Sequence, residues 1–209
     1  AFNPWNLMLG LAVFFLSRVL ALLYFINNIK DATLYTRCRS QLRKETIPFL
    51  LFFLAFVIHL VLTDGFAVDP QSHAVFMQPF KYFINLKQMP IVAAVLLIGV
   101  IAVLMGISKT IFVEGWKKGI WFTGVGTVLT VLALLLCAGW NHTAYYPSLA
   151  DLQSSLTIQN SCSSPFTLKV MSIVSLLIPF VLAYIYYAWR ALDLRKIDSQ
   201  EMDESHHAY

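Results

Sequence analysis

The stretch VMSIVSLLIPFVLAYIYYAW, residues 170–189, decides the fold class of this chain. It holds twenty consecutive residues without a charged side chain, and Arg190 follows it directly. At a rise of about 1.5 Å per residue, this run is long enough to cross a hydrocarbon layer of roughly 30 Å. A helix at the surface of a soluble protein keeps one polar face, whereas this run is apolar on every face. The stretch therefore predicts a transmembrane helix.

Four further apolar runs repeat this pattern, so we expect an all-α fold, a polytopic transmembrane helical bundle of five spans. The spans cover approximately residues 4–29, 47–63, 89–108, 120–139 and 170–189 of a segment that extends over 1–196, and a polar cytoplasmic tail follows at 197–209. The composition agrees, because 58% of the residues are hydrophobic and only 12% are charged, outside the ordinary range of soluble proteins. The net charge of +4 comes from segregated Lys and Arg residues, which indicates membrane topology and excludes a nucleic-acid surface.

The distribution of basic residues predicts the orientation. Eleven of the fifteen Lys and Arg residues fall in the loop at 30–45, the return at 108–119 and the tail, which five spans place on one side. The other side holds only Lys81, Lys87 and Lys169. By the positive-inside rule the N-terminus is outside and the C-terminus is cytoplasmic.

Several local features predict details of the bundle. Asn3 and Pro4 suit the cap and first turn of helix one. Gly99 and Gly106 share one face of helix three, and the Gly124–Gly126 pair lies in helix four, as expected where helices pack closely. Pro179 predicts a bend in the last helix around 175–179, with the freed backbone groups met by Ser172, Ser175 or a neighbouring helix.

In the connection at 64–88, helical spacing of Phe76, Phe80 and Phe83 suggests a short segment in the membrane interface. No charged region precedes the first span, so we expect no cleavable signal peptide, and the start at Ala1 suggests a fragment or a processed chain.

Arg18 is the candidate site residue that needs the most explanation, since an ionisable group at mid-depth in a membrane is expensive and by default suggests function. It lies about 21 Å from the outer end of helix one. His59 and Asp64 complete the candidate intramembrane polar site, but His59 lies only about 7 Å from the outer surface, too far from Arg18 for contact. No carboxylate falls within the five predicted spans. We therefore expect the counter-charge of Arg18 to come from outside these 209 residues.

The other polar residues suggest no chemistry of their own. His59 has no second intramembrane histidine as an axial partner, and a hydrogen bond between helices explains it more simply. Asp64 fits a charge that holds a helix end in the interface. Three scattered cysteines form neither a metal motif nor a disulfide framework. Asn141-His142-Thr143 matches a glycosylation acceptor only weakly. We predict no catalytic, cofactor-binding or metal-binding residue in this chain.

A series of short landmarks resembles the second half of cytochrome bd quinol oxidase subunit II. Its order and approximate spacing hold over nearly the whole chain. The landmarks are Phe2-Asn3-Pro4, Asp64-Gly65-Phe66, Ala138-Gly139, Tyr146-Pro147, Leu156-Thr157, Asn160 to Ser164, Thr167-Leu168 with Met171, Pro179, and Tyr186-Tyr187-Ala188-Trp189-Arg190.

The resemblance implies part of a respiratory terminal oxidase of the bacterial inner membrane, which oxidises quinol and reduces dioxygen to water. It implies that haems b and d are ligated by a partner, subunit I, and that subunit II forms a pseudo-symmetric heterodimer with it as a scaffold. Membrane lipid and quinone would be the other partners. The family's acidic proton-path residues lie in the first half of subunit II, so the resemblance assigns no catalytic role to a residue of this chain.

Two other classes of protein remain open from the sequence. A segment of a secondary transporter would show broken helices in two related halves, and only one helix here is interrupted by proline. A non-catalytic membrane scaffold protein is compatible with the lack of a ligand set.

The topology can be tested by cysteine-accessibility labelling of intact cells. We expect single cysteines at 37–45 to react only after the membrane is permeabilised, and those at 71–87 and 144–164 to react from outside. Reaction of both sets from the same side would rule out the five-span arrangement.

Overall fold

The computed structural model describes residues 3–193 of the chain. Eight α-helices and one short 3-10 helix (Leu152–Ser154) lie in this range. Five segments are long and apolar enough to cross a membrane, which confirms the predicted number of spans. The helices are α1 (Pro4–Asn28), α2 (Ala32–Leu62), α3 (Lys81–Gln88), α4 (Pro90–Phe112), α5 (Gly119–Gly139), α6 (Ile158–Ser161), α7 (Pro165–Ser175) and α8 (Ile178–Asp193), and α7 and α8 together form the fifth span. The tail at 197–209 lies outside the described residues. The orientation of the termini stays a prediction.

Helix α2 differs most from the expected boundaries. It begins at Ala32, well before the predicted span at 47–63, and the carboxylate of Asp31 caps it by accepting a 2.7 Å hydrogen bond from the Leu34 amide. Arg, Lys, Gln and Glu are good helix formers, so the helix continues through residues that hydropathy assigns to a loop. At the start of α1 the prediction is confirmed, because the Asn3 side chain accepts from the Trp5 amide at 2.9 Å.

The connection between α2 and α3 contains a small sheet, which the predicted all-helical bundle did not include. Strand β1 (Gly65–Val68) pairs antiparallel with β2 (Val75–Gln78). The Gln153 side chain continues the ladder, accepting from the Val75 amide at 3.0 Å and donating to its carbonyl at 2.9 Å. Strands of four residues are too short to give a recognisable alternation in the sequence. Phe76 therefore lies in β2, and only Phe83 of the three expected phenylalanines lies within α3.

Helices α4 and α5 pack closely through glycines, as predicted. A Cβ atom added at Gly99 would lie 2.8 Å from the Thr130 amide nitrogen and 2.9 Å from the Gly126 carbonyl oxygen. One added at Gly126 would lie 2.6 Å from the Gly99 carbonyl oxygen. Gly124, by contrast, has open space around it, so the packing role belongs to Gly126. Small residues allow the two backbones this approach.

A second contact joins the α1–α2 pair to the α4–α5 pair. The buried core between them contains aliphatic and aromatic side chains from α1, α2 and α4, including Leu23, Leu42 and Ile107. Near it, Arg39 of α2 donates from Nε to the Ile111 carbonyl at 3.0 Å, and Arg43 donates to the same oxygen at 3.5 Å. Cations at the C-terminal end of α4 satisfy a free carbonyl and suit the helix dipole.

The last span is interrupted just before Pro179, at the place where the sequence predicts a bend. The helix stops at Ser175 and resumes at Ile178, and the Leu176 and Leu177 amides donate to carbonyls three residues earlier. The Ser175 hydroxyl donates to the Ser172 carbonyl at 2.7 Å. Proline lacks the amide proton that a continuous helix requires at this point, and local hydrogen bonds compensate.

The glycine contact yields a matched pair of variants two residues apart on α5. Gly126→Ala should lower the free energy of unfolding by about 1–3 kcal/mol, because the methyl group meets the backbone of α4. Gly124→Ala should be neutral or slightly stabilising, because alanine favours the helix and nothing blocks the methyl group. Unfolding of the detergent-solubilised protein by SDS measures both. Equal stability of the two variants would contradict the close contact at Gly126.

Candidate functional site

Arg18 pairs with Glu45 across the interface between α1 and α2. An Nη atom of Arg18 donates to Oε1 of Glu45 at 2.5 Å, and Nε2 of Gln41 donates to the same oxygen at 2.6 Å. The ring of Phe14, one turn earlier, has its centroid 5.8 Å from the guanidinium carbon. The Glu45 side chain is 7% exposed and that of Arg18 is 47% exposed. The carboxylate therefore has two donors inside the chain, while about half of the arginine faces outward.

This pair corrects the expectation that the counter-charge of Arg18 lies outside the chain. That expectation assigned Glu45 to a loop, because the predicted second span began only at residue 47. Since α2 runs through Glu45, the antiparallel neighbour of α1 presents a carboxylate at the depth of Arg18. Either charge alone in an apolar layer would be costly, and the pair with its extra hydrogen bond reduces that cost.

His59 and Asp64 do not join the Arg18 pair. The same antiparallel register that brings Arg18 to Glu45 stacks the His59 ring on Trp5, with ring centroids 3.8 Å apart and an angle of 8° between the planes. Asp64 is exposed in the short connection between α2 and β1. The three predicted candidates therefore occupy separate environments, and Glu45 and Gln41 are the partners that sequence analysis missed.

A second polar cluster lies beneath α3, and no sequence motif indicated it. Lys81 and Asn85 point inward and are buried, whereas Phe83 points outward. Nζ of Lys81 donates to the Asn141 carbonyl at 3.0 Å, and the Asn85 amide donates to the Cys137 carbonyl at 2.9 Å. Burial lowers the pKa of Lys81 below its usual value. In the sequence, the only indication of this cluster was that the polar residues Lys81 and Asn85 are four positions apart in α3.

The Asn141 side chain belongs to this cluster, which argues against the weak glycosylation match. Its amide donates to Oδ1 of Asn85 at 3.1 Å and to Oε1 of Gln88 at 2.6 Å. Thr143, the third residue of the match, is buried and accepts from the Asn85 amide at 2.8 Å. These groups tie the loop after α5 to α3.

Among residues 3–193, no three His, Cys, Asp or Glu side chains are grouped closely enough to hold a metal. His59, the histidine within a span, has one face covered by Trp5.

Comparison with known proteins identifies the family. The family model described as cytochrome bd terminal oxidase subunit II matches residues 1–192. The chain belongs to this family. The relatives found include "Cytochrome bd-I ubiquinol oxidase subunit 2" of Escherichia coli strain K12 and the protein of the same name from Escherichia coli O157:H7. Each is 26% identical over 200 residues, which cover 90% of this chain and 51% of the relative.

The chain spans about half the length of these curated relatives of cytochrome bd subunit II. The relatives are subunits of a ubiquinol oxidase, an oxidoreductase complex. Family membership and the five long apolar helices together fit a multi-pass protein of the bacterial inner membrane.

The Arg18–Glu45 pair predicts that removing one partner costs more stability than removing both. Arg18→Leu should lower the free energy of unfolding by about 2–4 kcal/mol, because it leaves a buried carboxylate without its cation. The loss is smaller than for a fully buried pair, because Arg18 is half exposed. The double variant Arg18→Leu/Glu45→Leu should recover most of this loss, since an apolar pair needs no counter-charge. SDS unfolding of the purified protein measures both.

The matched control is Arg37→Leu, which removes an exposed arginine and should change stability by less than about 0.5 kcal/mol. Arg43 is unsuitable, because it donates to the Ile111 carbonyl. A double variant as unstable as Arg18→Leu would show that the ion pair is not what stabilises the interface.

Proposed function

We propose that this chain is part of the second subunit of a respiratory cytochrome bd-type quinol oxidase. In this proposal the complex oxidises a membrane quinol and reduces dioxygen to water. The haems b and d lie in the partner, subunit I, with which subunit II forms a heterodimer. The observation that carries the proposal is the family match over residues 1–192, together with relatives named as ubiquinol oxidase subunits. A transporter or an unrelated scaffold would not account for that match.

The part that we assign to this chain is structural support of the haem subunit. Residues 3–193 offer a charge pair, glycine contacts and helix caps, and no three of their His, Cys, Asp or Glu side chains are grouped closely enough to hold a metal ion. Large apolar side chains remain exposed along α1, α2, α4 and α5, for example Val13, Leu51, Ile98 and Leu135. Such surfaces suit contact with lipid or with another membrane subunit. The outward half of Arg18 would then meet the rest of subunit II or subunit I.

The topology is part of the same proposal. The segregation of Lys and Arg supports an N-terminus outside and a cytoplasmic C-terminus. In this orientation the β1–β2 hairpin, α3 and the loop after α5 form an outer layer. The exposed basic residues of α2 would lie at the cytoplasmic surface.

Absorption spectroscopy of the complex purified through a tag on this protein tests the proposal. We expect haems b and d to co-purify, with haem d absorbing in the red, and ubiquinol to support oxygen consumption. His59→Ala should leave the haem content unchanged, because the proposal places the haem ligands in subunit I. A purified complex without haem, or a haem signal that disappears in His59→Ala, would contradict the assignment.

A further inference from the structure

A groove of about 410 Å³ lies between the ends of α1 and α5 and the side of α8. Its walls combine aromatic, amide and aliphatic side chains. They include Tyr24, Asn28, Trp121, Leu182, Ile185 and Trp189. Tyr and Trp favour the level of the lipid headgroups, where the ring can be apolar on one side and hydrogen-bonded on the other. The groove therefore lies where a span meets the membrane surface.

Three basic residues lie close in sequence to the groove walls, each at a different helix end. Lys30 follows the wall residue Asn28 by two positions, Lys118 comes directly before α5, and Arg190 follows the wall residue Trp189. All three side chains are exposed. The acidic neighbour of Lys30, Asp31, uses its carboxylate to cap α2. The helix ends that adjoin the groove walls thus carry more basic than acidic residues, with Lys30, Lys117, Lys118 and Arg190 against Asp31 and Asp193, and the walls are largely apolar.

From this juxtaposition we infer that the groove binds one anionic phospholipid of the adjacent leaflet. The phosphate lies among Lys30, Lys118 and Arg190, and an acyl chain lies against Leu182 and Ile185. Long basic side chains reach the headgroup level from the end of a span, and each contributes to attraction of an anionic lipid. The site does not depend on the proposed oxidase activity.

The surroundings of α8 favour a lipid as the occupant. Its large side chains are exposed, including Phe180 at 74% and Tyr187 at 74%, so lipid can reach the groove along the helix. A zwitterionic lipid would gain little from three cations, because its headgroup carries no net charge. A free phosphate would leave the aliphatic wall uncovered. An anionic phospholipid matches both the charges and the apolar surface.

Native mass spectrometry of the purified intact complex in detergent tests this site. The probes are phosphatidylglycerol and phosphatidylcholine with identical acyl chains. We expect one phosphatidylglycerol molecule to be retained that phosphatidylcholine does not replace. The triple variant Lys30→Gln/Lys118→Gln/Arg190→Gln should weaken its apparent Kd by about a hundredfold. Ile185→Trp, which fills the groove without changing charge, should also release this lipid.

The matched control is Arg37→Gln/Lys44→Gln/Lys109→Gln, which removes three exposed basic residues that do not adjoin the groove walls. It should keep the lipid, and circular dichroism should show the same helix content in all variants. Equal weakening by the two triple variants, equal retention of both lipids, or displacement by excess inorganic phosphate would overturn the inference. So would an intact complex that retains no lipid sensitive to Ile185→Trp, since another protein segment would then fill the groove.

Discussion

A guanidinium group inside an apolar layer needs a counter-charge, and the antiparallel register of α1 and α2 supplies it. Arg18 and Glu45 are 2.5 Å apart, with Gln41 as a second donor to the carboxylate. The register that makes this contact also stacks Trp5 on His59 near the other end of the pair. A slip of one residue would rotate both contacts by about 100° around the helix. The ion pair therefore specifies how the first two helices meet, whatever its net contribution to stability.

The second pair of helices is held together by a different interaction. Gly99 and Gly126 let the backbones of α4 and α5 approach, so dispersion forces act over a long contact where lipid gives no hydrophobic driving force. Arg39 connects the two pairs by donating to the C-terminal end of α4. In the connections near α3, buried Lys81 and Asn85 join this helix to the end of α5 and the loop after it. An ion pair thus joins α1 to α2, close contacts at small residues join α4 to α5, and side-chain hydrogen bonds from Lys81 and Asn85 join α3 to the end of α5 and the loop after it.

Sequence analysis could identify Arg18 but not its partner. A charge inside an apolar run is visible from hydropathy alone, because every neighbour in the run is uncharged. Glu45 follows Arg43 and Lys44, so hydropathy places it with the loop charges. Only the length of α2 shows that Glu45 shares the depth of Arg18. The Lys81–Asn85–Asn141 cluster was also missed, since Asn141 lies 56 positions from Asn85 and 60 from Lys81 and no local pattern links it to α3.

The sequence by itself determined the number of spans, the glycine face of α4 and the interruption at Pro179, because each depends on local length, periodicity or a missing amide proton. The family resemblance was also readable from short landmarks. Only the tertiary structure decided where α2 begins, which carboxylate meets Arg18, and that β1 and β2 pair. The partner of Arg18 depends on a contact between residues 27 positions apart. A hydropathy pattern reports each residue's preference for lipid, and reports neither its neighbour nor the start of a helix that is built from charged residues.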